Sequence, residues 1–165
     1  MRLQTSLPLD TANAIVSRAL ALGREASLLP LTVVVLDAGG KLIAVQSEDG
    51  SGLTRFDIAF GKAYGALGMG ISSRLIRDRL SERPAFQNAI AAASGGQFIP
   101  VPGGVLIENK AGVTLGAVGI SGDTSDKDEY CAIEAIKASG YVSEPDKPNP
   151  DWRTSSLSDH YPASR

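Results

Sequence analysis

The chain has 165 residues, enough for one compact domain, and its 43% hydrophobic and 21% charged residues with a net charge of −2 give the balance of a soluble globule. It has no basic field to collect nucleic acid and no run near the roughly 18 apolar residues that span a bilayer, so neither is expected as a partner. One cysteine, Cys131, excludes an internal disulfide, and one histidine, His160, excludes zinc, facial-triad iron and Ser-His-Asp sites that need several histidines; no metal site is expected.

The first ten residues, MRLQTSLPLD, contain no long apolar run of the secretory kind, and a cytoplasmic location is expected. From Asp10 onward, Ile15, Ala19, Leu22 and Ala26 recur at helical spacing, joined by Val16 and Leu20. They predict a helix to about Ser27, with Asp10 or Thr11 as its N-cap. The segment LTVVVLDAGGKLIAVQ then sets an Asp-Ala-Gly-Gly turn between a β-branched run and an alternating one. That is the pattern of a hairpin, with strands near 31–37 and 41–47.

After the break at Gly50 to Gly52, LTRFDIAFGKAYGALGMG is rich in alanine, glycine and aromatic residues, and predicts a helix over about 54–68 packed closely on a sheet. SSRLIRDRLSERPAFQNAIAAASGG gives two shorter helices, one from Ser72 to about Leu80 and one opened by Pro84 and ended by Gly95 and Gly96. The stretch FIPVPGGVLI, Phe98 to Ile107, puts two prolines and a diglycine among apolar residues. It reads either as a kinked entry to an edge strand or as bare backbone lining a ligand site.

A second hairpin follows in VLIENKAGVTLGAVGIS, turning at Asn109 to Gly112. Its turn echoes the first, Asp37-Ala-Gly-Gly against Asn109-Lys-Ala-Gly, as any two hairpins of this loop length do when they share turn chemistry. Thr124 or Ser125 opens a last helix, with Ser125 and Asp128 at capping-box spacing and Asp126 near the positive end of the dipole. Its apolar face comprises Cys131, Ala132, Ala135, Ile136 and Ala138, and Gly140 stops it. Residues 1–143 are thus expected to form the domain and 144–165 a proline-rich extended tail, ordered where Trp152 or Tyr161 docks. Helix, hairpin, helices, hairpin, helix is the order of an α+β fold with an antiparallel sheet.

Three clusters carry candidate chemistry. In the first, Arg55 and Lys62 are seven apart and near one helix face, where they can hold a carboxylate; Asp57 points elsewhere. A solvated helix face accounts for the same spacing. The second is Pro102, Gly103 and Gly104, a fixed φ followed by two residues that let a ligand approach the main chain. The third, GISGDTSDKDEYC, brings Ser121 and Gly122 to the N-terminus of the last helix, where free N–H groups receive anions. It lacks phosphate-loop spacing. Asp126, Asp128 and Glu129 read either as acids, bases or ligands or as partners of the helix dipole, and Cys131 as a small buried hydrophobe.

Taken in order, the segment from Thr54-Arg55-Phe56-Asp57, then RPAFQNAIAAASGGQFIPVPGGVLI, then LGAVGISGDTSDKDEYCAIEAI resemble the GlcG/HbpS-like heme-binding (heme-degrading domain) family over about residues 7–142. The resemblance implies a profilin-like α+β sandwich, an antiparallel sheet of about five strands flanked by helices, assembled into a homo-oligomer that is often large. It also implies heme as a ligand, and a place in small-molecule catabolism. Among the side chains of heme-ligating type within that span are Tyr64, Met69 and Cys131, with Lys62 as a further candidate.

Three functions are compatible with these residues. In the first, the protein binds a small ligand, heme included. In the second, it is a small catabolic enzyme acting on a carboxylated metabolite by tautomerisation, hydration or hydrolysis. Arg55 and Lys62 then grip the carboxylate, Pro102, Gly103, Gly104 and Ser121 line the site, and Asp57, Lys62 or Glu129 supplies the acid–base step, worth roughly 10²–10⁴-fold. In the third, it is a non-catalytic oligomeric sensor or chaperone.

Overall fold

The computed structural model of the protein describes residues 4–157. The first helix, α1, runs Leu9–Glu25. Its N-cap is Pro8 rather than Asp10 or Thr11, because the proline φ of −64° already suits the helix start and no side-chain cap is made. Asp10 instead sits in the first turn, beside the positive end of the dipole.

Strands β1 (Thr32–Asp37) and β2 (Leu42–Ser47) form the first hairpin, and β3 (Gly104–Glu108) and β4 (Thr114–Ser121) the second. One device closes both turns. Asp37 Oδ1 accepts from the amides of Gly39 and Lys41 at 2.9 Å each, and Asn109 Oδ1 from those of Ala111 and Val113 at 2.9 and 3.0 Å. The echo between the two sequences is therefore an Asx turn used twice.

The sheet has the order β2-β1-β4-β3-β5, antiparallel throughout, and its fifth strand is β5 (Val142–Glu144), paired to β3. Two hairpins account for four strands. The fifth comes from the chain just past the last helix, where three residues are too few to show a period.

Both sheet faces are covered, so β1 is buried along almost its whole length instead of alternating. Val33 and Val35 face α1 and α5 (Ser125–Ala138), in a core with Ile15, Ile120, Ile133 and Ile136. Val34 and Leu36 face α2 (Arg55–Met69), against Ala59, Ala63 and Ala66. Ala138 is exposed at the end of α5, and Ile133 fills the inner face in its place.

The seat of α2 is set by two glycines. Gly104 on β3 and Gly119 on β4 lie directly opposite one another. A methyl group on Gly119 would stand 1.9 Å from the Ala59 carbonyl oxygen, and one on Gly104 2.2 Å from that of Lys62. The helix backbone thus rests on bare sheet.

Helices α3 (Ser73–Leu80) and α4 (Pro84–Ala93) follow, and Ile76, Leu80 and Phe98 form a small separate core beneath them. Beyond β5, Glu144 accepts from the amide and hydroxyl of Ser72, and Arg74 donates to the Lys147 carbonyl at 2.8 Å. A 3-10 turn at Trp152–Thr154 then stacks Trp152 on Tyr130, ring centroids 3.7 Å apart. Trp152 therefore docks on the domain, while His160 and Tyr161 lie outside the described residues. No helix among the described residues is long and apolar enough to cross a membrane.

Candidate functional site

Helix α2 has two working faces, set by its 3.6-residue period. Arg55, Ala59, Lys62, Ala63 and Ala66 turn toward the sheet, while Phe56, Asp57, Phe60 and Tyr64 lie on the outer side.

Lys62 is 1% exposed, and its Nζ donates to the Ile120 carbonyl at 2.8 Å and to Asp128 Oδ2 at 2.9 Å. Asp128 Oδ1 in turn accepts from the Asp123 amide at 3.1 Å. The expected capping box with Ser125 is not made. Thr124 is the N-cap and accepts from the Lys127 amide at 3.4 Å, which leaves Asp128 one residue too far on and turned inward. Burial raises the Asp128 carboxyl pKa, against the opposing pull of Lys62. Arg55 and Lys62 do share a face, but the carboxylate that Lys62 holds belongs to the protein itself.

Pro102, Gly103 and Gly104 are buried around this pair. Gly103 has φ +115°, and a methyl group there would meet Lys62 Nζ at 2.9 Å. The amide of Gly104 donates to Ser73 Oγ at 2.7 Å. These glycines face protein atoms: they make room for Lys62 and for the backbone of α2.

Asp57, Lys62 and Glu129 occupy three different environments. Asp57 is exposed in a cleft with Phe56, Phe60 and Gln97. Glu129 on α5 is fully enclosed, with Arg74 Nε from α3 3.3 Å away. That approach is an ion pair without hydrogen-bond alignment, and neither Glu129 oxygen has a hydrogen-bond partner. Burial raises its carboxyl to about 7, against Arg74 and with Asp126 and Glu144 adding to the rise. Arg55 Nη1 donates to Ser121 Oγ at 3.2 Å.

Along the outer face of α2 lie three neighbouring clefts, of about 330, 250 and 180 Å³. The first two share Gln97, and the last two share Tyr64 and Gly68. Phe56, Phe60 and Tyr64 form a ladder along the trough with ring centroids 5.9 and 5.7 Å apart, the upper pair stacked. The middle cleft is mostly apolar, lined among others by Gly65, Met69, Ile90 and Phe98. The stretch FIPVPGGVLI thus reaches a cleft through its phenylalanine. Phe60, Gln97 and Phe98 were not singled out by the sequence reading, although aromatics at 56, 60 and 64 keep the i, i+4 spacing of a stripe.

The same fold recurs in solved structures. PduOC in complex with heme superposes with a TM-score of 0.75 at 21% identity, over 84% of this chain and 98% of that one. Klebsiella pneumoniae protein ORFY gives 0.74 at 21% identity, over 85% and 94%. A double mutant of Streptomyces reticuli HbpS gives 0.69 at 23% identity, over 84% and 89%. A Citrobacter freundii protein, described as an uncharacterized 15.0 kDa protein in the dhaT-dhaS intergenic region, is 30% identical over 125 residues, 76% of this chain and 83% of that one. The family model described as haem degrading protein HbpS-like matches residues 7–137, and the chain belongs to the HbpS-like family.

Proposed function

We propose that this chain is a ligand-binding member of its family that takes heme in the trough along the outer face of α2. The observation that carries the reading is the trough itself, a row of adjacent clefts whose middle member is mostly apolar and lined by Tyr64 and Met69. Ligand sites are concave and mainly apolar, with a few polar groups that fix orientation. That PduOC is known in complex with heme supports the choice of ligand.

The residues present suit the group. A tyrosine oxygen or a methionine sulfur ligates heme iron, and both types line the trough. Lys62 is held by Asp128, and Cys131 lies in the core beneath α1 and α5, where burial pushes its thiol pKa well up. Gly68 leaves the helix surface bare, with nothing within 4 Å of the place a side chain would start. A flat ring can therefore lie close to the helix backbone there. Stacking on Phe60 fixes the Tyr64 ring, and Gln97 brings an amide to the junction of two clefts, where it can donate to a propionate. Bound heme would supply a redox-active iron, which Tyr64 or Met69 would hold.

Titration with hemin tests the reading. A saturable Soret shift is expected, weakened about tenfold or more, or changed in band position, by Tyr64→Phe or Met69→Leu. A shift that never saturates, or one indifferent to both substitutions, overturns it.

A further inference from the structure

A polar cluster lies at the N-terminal end of α2, on its sheet side. Ser47 of β2, Thr32 of β1 and Ser121 of β4 stand directly opposite one another, so three hydroxyl side chains form a row across three adjacent strands. Thr32 Oγ1 is 2.9 Å from Ser47 Oγ and 2.7 Å from Ser51 Oγ, and Thr32 and Ser121 are almost wholly enclosed. Such a row is unusual between apolar core positions, since each buried hydroxyl needs a partner.

Arg55, in the first turn of α2, reaches the end of the row through its bond to Ser121. A guanidinium carries five N–H donors in a planar fork. Among the described residues a single neutral hydroxyl accepts from it, and no carboxylate lies within ion-pair distance. The other charges nearby are matched. Lys62 pairs with Asp128, Lys127 with Asp123 at 3.1 Å, and Arg24 with Glu48 at 2.7 Å. Arg55 also feels the Asp128 carboxylate, but that group is already bonded to Lys62, so Arg55 is left without an ion pair of its own, next to hydroxyls that both donate and accept.

We propose that Arg55, Ser121, Thr32 and Ser51 form a binding site for a small carboxylate, separate from the α2 trough. The planar fork matches the two oxygens of a carboxylate, and the enclosed Ser121 hydroxyl anchors the guanidinium that presents it. One unmatched positive charge suits a monoanion and leaves a dianionic phosphate half compensated. The backbone supports the placement, because Gly52 lies against the Arg55 stem and accepts from the Arg55 amide at 3.0 Å.

The full chain is titrated with acetate, and separately with inorganic phosphate, at constant ionic strength while backbone amide resonances are followed. Acetate is expected to give saturable shifts at Ser121, Gly122 and the 52–55 turn, in the millimolar range. Arg55→Ala weakens the binding about tenfold or more, since it removes the charged donors of the fork. Arg55→Lys, which keeps the charge and loses the fork, weakens it as well. Absence of saturation, equal binding by Arg55→Lys, or phosphate binding tighter than acetate overturns the proposal. Hemin binding by Arg55→Ala is expected to match that of the parent, so the two sites stand or fall separately.

Discussion

Lys62 and Asp128 are both enclosed, and removing either leaves its partner as a buried charge without compensation. Lys62→Met or Asp128→Leu alone is expected to cost about 3–5 kcal/mol in urea unfolding, and the double substitution far less, since a well-packed apolar pair often replaces a buried ion pair at no loss. A double variant as unstable as the two single ones added together would contradict this. Glu129 makes a different prediction. Its folded pKa of about 7 lies above its ordinary 4.5, so between those values the native state holds a proton that the unfolded chain has released. The stability Glu129 contributes is full below about 4.5 and falls as pH rises through about 7, by about 3 kcal/mol in total. Glu129→Gln removes that slope; an unchanged pH profile would refute the assignment. Neither role was legible in sequence. Asp128 and Glu129 both read as first-turn acids, and what separates them, a lysine on α2 for one and an arginine on α3 for the other, is fixed by contacts more than fifty residues away.

At the level of elements, periodicity was informative where one face of a segment is buried. The spacing of Ile15, Ala19 and Leu22 places α1 to within two residues, and the Asp37 and Asn109 turns locate both hairpins. β5 escaped notice because three residues that borrow their pairing from β3 carry no pattern of their own. The glycines of α2 and its sheet divide into two kinds that sequence alone does not separate. Gly119→Ala drives a methyl into the Ala59 carbonyl and is expected to destabilise by at least about 1–3 kcal/mol. Gly68→Ala meets open space in the last turn of α2 and is expected to stabilise by up to about 0.5 kcal/mol while narrowing the trough and weakening hemin binding. Thermal unfolding of the two variants checks the opposite signs; a shift in the same direction for both would contradict the packing described.

For the whole molecule, the α+β class followed from the order of elements, and the profilin-like arrangement from resemblance. The use made of the bare backbone did not follow. The Pro-Gly-Gly segment was weighed as a pocket wall because bare backbone suits a ligand, and bare backbone also suits the close seating of a helix, which is how Gly104 is used. The resemblance implies a homo-oligomer. Light scattering is expected to give a mass that is a multiple of 17.2 kDa, and a single-chain mass at working concentrations would contradict it.

The docking of Trp152 has an optical consequence. As the chain's sole tryptophan, packed between the Tyr130 ring and the Arg153 guanidinium, it confines the indole emission of the whole protein to one spot beside α5. Fluorescence therefore follows the release of the segment after β5, while circular dichroism follows the helices and sheet. That segment is held to the surface of the domain by side-chain contacts and adds no strand beyond β5, so emission is expected to shift at lower urea than ellipticity does. Because heme absorbs where tryptophan emits, the same residue doubles as an internal ruler: the degree of quenching by hemin measures how far the bound ring lies from α5.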